Sequence, residues 1–120
     1  MKIVIAGAGD VGTHLAKLLA SEDHDIYLID RSEESLAAVS SQIDVFTITG
    51  DAKSVEIMEH KLIESCDLLI AVTSSEETNM LICILGKKLG AKRTIARIND
   101  VNIVKDCLLY TSDAADEDLR

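Results

Sequence analysis

The chain has 120 residues, a formal net charge of −9 and 48% hydrophobic residues, with only 2% aromatic residues and no proline. That length suits one small domain whose core is built from Ile, Leu, Val and Ala. The acidic balance has no basic stripe, which argues against a nucleic-acid partner, and no apolar run is long enough to cross a bilayer as a helix. The cysteines Cys66, Cys83 and Cys107 have neither zinc-site nor disulfide spacing, and no other metal-ligand cluster is present.

The elements begin at once. An apolar run, Lys2–Ala6, predicts a first strand that leads into Gly7-Ala8-Gly9-Asp10-Val11-Gly12. Val11, Leu15, Leu18 and Leu19 then predict a helix over 11–20. A second strand over 25–29 is closed by Asp30. Strand, glycine turn, helix, strand and acid together form the dinucleotide-binding fingerprint in its full context. Gly7 permits the tight turn, Gly9 lets a pyrophosphate approach the backbone, and Gly12 allows close packing of the helix. The helix N-terminus offers unpaired N–H groups and partial positive charge to a phosphate. Asp30 suits the ribose hydroxyls and opposes a 2′-phosphate, favouring NAD or an adenine mononucleotide over NADP; the neighbouring Arg31 weakens that preference. The alternative is a nucleotide-free domain that keeps the glycine turn for packing.

Further along, Ser32 is placed to cap a short helix bearing Leu36, Ala37 and Val39. A third strand is expected over 45–48, a loop at Gly50, Asp51 and Ala52, and a short helix over 55–60. A fourth strand over 68–72 precedes Thr73, Ser74 and Ser75, all candidate caps; Thr73-x-x-Glu76 and Ser74-x-x-Glu77 both match the capping box. The helix they start runs to Leu89 and stops at Gly90. A fifth strand is expected over 94–98, then a helix capped by Asn99 or Asp100 and reaching Asp106. Alternating strands and helices predict an α/β, Rossmann-like doubly wound parallel sheet of order 3-2-1-4-5, with ligands binding at the carboxyl ends of strands one and four.

That order gathers distant loops at one sheet edge. Thr73, Ser74 and Ser75 are plain helix caps, phosphate or ribose contacts, or both. Asp51 is either a turn residue or a neighbour of adenine. Arg97, at the end of strand five, is either a phosphate ligand or half of a surface ion pair. Asn79 faces either the crevice or solvent. His14 reads as a solvated or packed histidine rather than a catalytic one, Lys17 as solvated, and Cys83 as core.

From Cys107 the pattern breaks. Residues 107–117 resemble a translated sequencing adapter, so 107–120 are expected to be a non-native tail and 1–106 the domain. No function is attached to Cys107 or Tyr110.

Residues 7–12, Leu28-Ile29-Asp30, Gly50-Asp51-Ala52, the segment 71–79 and Ile95-Ala96-Arg97-Ile98 resemble the RCK, or KTN, nucleotide-binding domain of potassium-transport regulators, nearest to the TrkA type. The resemblance covers essentially all of 1–106, and 71–79 is its most specific part. It implies a regulatory subunit rather than an enzyme, binding NAD(H) or ATP and ADP and gating K⁺ flux through a membrane-embedded transporter subunit. It implies that Gly7, Gly9 and Gly12 cradle phosphates, Asp30 holds the ribose, Asp51 and Ala52 lie near adenine, Thr73 and Ser74 line the cleft, and Arg97 reaches a phosphate. It also implies a homo-oligomer and a further strand and crossing helix beyond 106, so that the fold is expected to be truncated before its last strand. Met1 directly before strand one points to a separate cytoplasmic subunit, peripheral to the inner face of the plasma membrane. The competing expectation is the cofactor-binding half of an NAD-dependent dehydrogenase, since fold alone does not assign function. A third is a nucleotide-free dimerisation module.

Overall fold

The computed structural model describes residues 1–54 and 61–98. Five parallel strands form one sheet in the order β3-β2-β1-β4-β5: β1 Lys2–Ala6, β2 Asp25–Asp30, β3 Phe46–Thr49, β4 Leu68–Ala71 and β5 Arg93–Ala96. The helices are α1 Asp10–Ala20, α2 Glu33–Ser40, α3 Lys61–Ser65 and α4 Glu76–Leu89. The expected doubly wound order is therefore the observed one.

The alternation of side chains across each strand divides the core in two. On one face, Ile3 and Ile5 of β1, Ile26 and Leu28 of β2 and Ile70 of β4 pack under Ala16 of α1 and Leu36 and Val39 of α2. On the other, Val4, Ala6, Ile29, Leu69 and Ala71 pack under Ile63 of α3 and Ile82 and Cys83 of α4. Central strands buried on both faces explain why β1 reads as an unbroken apolar run. Burial pushes the Cys83 thiol up to about 11, as befits a core cysteine.

The register aligns the carboxyl ends. Ala6 pairs with Ile29 and with Ala71, Asp30 with Thr49, and Ala71 with Ala96. The residues that leave the strands, Gly7, Arg31, Gly50, Val72 and Arg97, therefore emerge along one edge.

Several boundaries differ from expectation. β2 extends through Asp30 because that residue still pairs with Thr49. β3 starts at Phe46, while Val45 packs on the α1 and α2 side of the core. β4 stops at Ala71, although the Val72 N–H still donates to the Ala6 carbonyl at 2.9 Å. β5 begins and ends earlier than 94–98, leaving Arg97 one residue beyond it. Helix α3 had no counterpart in the sequence reading; a single turn with Leu62 and Ile63 buried is too short to show periodicity. The helices expected over 55–60 and after Asn99 lie outside the described residues.

Candidate functional site

The carboxyl edge of the sheet opens into a cleft of about 310 Å³ between β1 and β4, where the winding reverses. Its walls come from four loops: Gly7 and Gly9; Ile29, Asp30 and Arg31; Gly50, Asp51, Ala52 and Lys53; and Val72, Thr73, Ser74, Ser75 and Thr78.

The three glycines of the turn stand in different surroundings. Gly7 sits at φ +112°, where a Cβ would also lie 2.9 Å from the Val72 carbonyl carbon and oxygen. A Cβ on Gly12 would lie 1.8 Å from the Gly7 carbonyl oxygen, so its lack of a side chain seats α1 against the turn itself. A Cβ on Gly9 would meet nothing within 4 Å. Packing inside the chain does not require Gly9, whose open side lies in the cleft wall. Gly9 is also the N-cap of α1 and provides no side-chain cap, leaving that helix end without a side-chain oxygen for its N–H groups.

Asp30 closes the same wall from β2. One carboxylate oxygen accepts the Ala8 N–H at 2.7 Å and the other accepts the Ser32 N–H at 2.8 Å. It fastens the glycine turn to the end of β2 while lining the cleft. Each oxygen retains capacity for another donor, so a ribose hydroxyl is compatible with both bonds. Asp51 turns its own loop, accepting the Lys53 N–H at 3.0 Å. The cleft thus presents the carboxylates of Asp30 and Asp51 and the cations of Arg31 and Lys53.

The opposite wall begins at β4. The cap of α4 is Ser75, whose hydroxyl oxygen accepts the Thr78 N–H at 3.2 Å. The cap is thus neither Thr73 nor Ser74, and Glu76 and Glu77 fall in the first turn, where their charge suits the helix dipole. The Thr73 hydroxyl points inward and donates to Asn79 Oδ1 at 2.6 Å. Ser74 is exposed on the cleft.

The candidate residues divide accordingly. Gly7, Gly9, Asp30, Arg31, Asp51, Ala52, Thr73 and Ser74 come together around the cleft. Ala8 is buried behind the turn and contributes its N–H to Asp30. Gly12 is buried against Gly7, and Asp10 and Val11 are exposed outside the cleft lining. Arg97 is exposed and absent from that lining, and among the described residues it has no ion pair. Lys53 and Thr78 line the cleft without having been singled out; the turn at Asp51 and the cap at Ser75 were the local signals for them. Asn79, expected to face either the crevice or solvent, faces neither: it is fully buried.

A parallel sheet of this order with a glycine turn at its switch point is a Rossmann-like domain of the nucleotide-binding type. The TrkA-N domain family model matches residues 3–115, and the chain belongs to that family. The match runs past residue 107 into the segment that the sequence pattern sets apart, which lies outside the described residues. The Trk system potassium uptake protein TrkA homolog of Archaeoglobus fulgidus is 39% identical over 104 residues, covering 87% of this chain and 23% of that protein. The chain therefore spans well under half the length of that curated relative. Among solved structures, the TrkA-N domain of inner membrane protein ybaL from Escherichia coli matches with a TM-score of 0.78 at 22% identity, covering 88% of this chain and 78% of the other. The Kef CTD of Shewanella denitrificans, in AMP-bound form, matches with a TM-score of 0.70 at 24% identity, covering 94% and 74%. Likeness at such identities concerns the fold.

Proposed function

We propose that this domain is the nucleotide sensor of a Trk-type potassium uptake system and acts as a regulatory subunit rather than an enzyme. The observation that carries the reading is Gly9: a glycine that internal packing does not demand, at an uncapped helix N-terminus, on the wall of a cleft of about 310 Å³. Membership of the TrkA-N family and the name of the Archaeoglobus fulgidus relative support the transport context.

In this reading Gly7, Gly9 and the first N–H groups of α1 hold phosphates, and Asp30 accepts the ribose hydroxyls. Asp51 and Ala52 border the adenine, and Thr73 and Ser74 form the opposite wall. NAD(H) is the favoured ligand, with ATP and ADP as the other candidates; the Asp30 carboxylate repels a 2′-phosphate and so sets NADP(H) apart from all of them. Bound nucleotide favours one assembly state of a homo-oligomer on the cytoplasmic face of a membrane-embedded transporter subunit, by its differential affinity for that state. In this reading residues 1–106 are the domain, truncated before its last strand, and 107–120 a non-native tail, so a chain ending at 106 binds with the same affinity.

The test is calorimetric titration with NADH, NAD⁺, ATP and ADP, followed by potassium uptake with the full-length subunit carrying Asp30→Ala. Weaker nucleotide binding and lost nucleotide control of uptake are expected. Unchanged regulation would remove Asp30 from the site, and turnover of NADH with a small carbonyl substrate would favour the dehydrogenase alternative.

A further inference from the structure

Asn79 is the one fully buried polar side chain among the described residues. A buried amide is costly unless its donors and acceptor are matched. Here Oδ1 accepts the Thr73 N–H at 2.8 Å and the Thr73 hydroxyl at 2.6 Å, while Nδ2 donates to the Thr73 carbonyl at 3.2 Å and to the Arg97 carbonyl at 3.0 Å. One side chain thus holds Thr73 by its N–H, its carbonyl and its hydroxyl. The same amide grips Arg97, whose N–H also donates to the Ala71 carbonyl at 3.0 Å. Thr73 lines the cleft, whereas Asn79 and Arg97 do not.

We propose that Asn79 is a positioning residue that sets the Thr73 wall of the cleft and couples cleft occupancy to the backbone leaving β5 at Arg97. The inference rests on the nucleotide reading and adds a route of regulation to it. The amide group is planar and rigid, so a shift of Thr73 carries Nδ2 with it. The Arg97 carbonyl must then follow, or the amide of the fully buried Asn79 loses that acceptor, which is expensive for a buried donor. Ligand contact at Thr73–Ser75 therefore reaches the end of β5 without touching it.

The experiment follows the Arg97 amide resonance by NMR during NADH titration of the full chain, alongside calorimetric affinities. Asn79→Asp preserves size and both acceptor bonds to Thr73, but removes both donations. We expect NADH to shift the Arg97 amide in the parent, and in Asn79→Asp to bind about tenfold more weakly without that shift at saturation. Thr73→Val should weaken binding too, and the double variant should be no weaker than the worse single one. The amide shift should persist in Arg97→Ala, because backbone rather than side chain carries it. Unchanged NADH affinity in Asn79→Asp, additive losses in the double variant, or an Arg97 response that survives Asn79→Asp would each overturn the inference. If Asn79→Asp does not fold, Thr73→Val carries the test, and an undiminished Arg97 response in it has the same consequence. A parent chain that binds none of NADH, ADP and ATP overturns the nucleotide reading itself, whereas binding without an Arg97 response overturns the coupling alone.

Discussion

The two walls of the cleft are built by opposite means. The β1–α1 wall is shaped by side chains that are absent: Gly7 and Gly12 leave no room for a Cβ, and Gly9 leaves its space open. The β4–α4 wall is shaped by side chains that are present, with Ser75 capping the helix and Asn79 clasping Thr73. Steric exclusion at the first wall is absolute and local. Hydrogen bonding at the second is shared among residues up to 18 apart in sequence, as between Asn79 and Arg97. The first wall should therefore fail abruptly on single substitutions and the second by degrees.

Gly12→Ala should have the largest effect. Its methyl meets backbone, not a flexible side chain, and a loss of about 3 kcal/mol or more in urea unfolding is expected, at the upper end of overpacking costs. A cost below about 1 kcal/mol would show that α1 slides freely away from the turn. Gly9→Ala is the sharpest contrast. Its methyl enters open space at φ −79°, so stability should stay within about 1 kcal/mol of the parent, since the loss of a glycine N-cap and the stiffer unfolded chain oppose each other. Nucleotide affinity should nevertheless fall about tenfold or more, because the methyl stands where a phosphate would approach. Equal affinity in that variant would break the link between Gly9 and the ligand.

Ser75→Ala tests the gentler wall. Losing the cap should cost about 1 kcal/mol by thermal or urea unfolding while leaving the fold intact. The smallest effect is expected at the opposite sheet edge, where Asp67 accepts the Lys2 N–H at 2.8 Å and pairs with Lys92 at 3.0 Å. The Lys2 backbone bond, followed by that from Lys92, holds the Asp67 carboxyl below its ordinary value of 3.8. Because the folded value is the lower one, this stabilisation is present above the ordinary value and is lost as pH falls through the folded one. Stability curves of the parent and of Asp67→Asn should converge over that acid range, and parallel curves would show that Asp67 contributes nothing to acid sensitivity.

Much of the first wall was readable from local sequence. Gly7, Gly9, Gly12 and Asp30 lie within two short stretches, and their required conformations follow from the strand–turn–helix context. The strand order was also readable, because alternating elements with right-handed crossovers leave few topologies. The second wall was not. Three adjacent hydroxyl residues, Thr73, Ser74 and Ser75, each satisfy the chemistry of a cap, and only the folded backbone, extended at Ser75 and helical from Glu76, selects Ser75. Arg97 lies at the expected edge, yet its side chain is exposed and outside the cleft lining while its backbone joins the Asn79 network.

The sequence by itself determined where glycine is obligatory, which runs form the central strands and which edge of the sheet gathers the loops. Those features depend on backbone sterics and on periodicity over a few residues. Only the tertiary structure decided that Gly9 faces open space, that Asp30 ties the glycine turn at Ala8 to the end of β2, and that Asn79 is buried and fully bonded. Each of those depends on which atoms from distant segments come within about 3 Å, the reach of a hydrogen bond, and that proximity exists only once β1, β4 and β5 lie side by side.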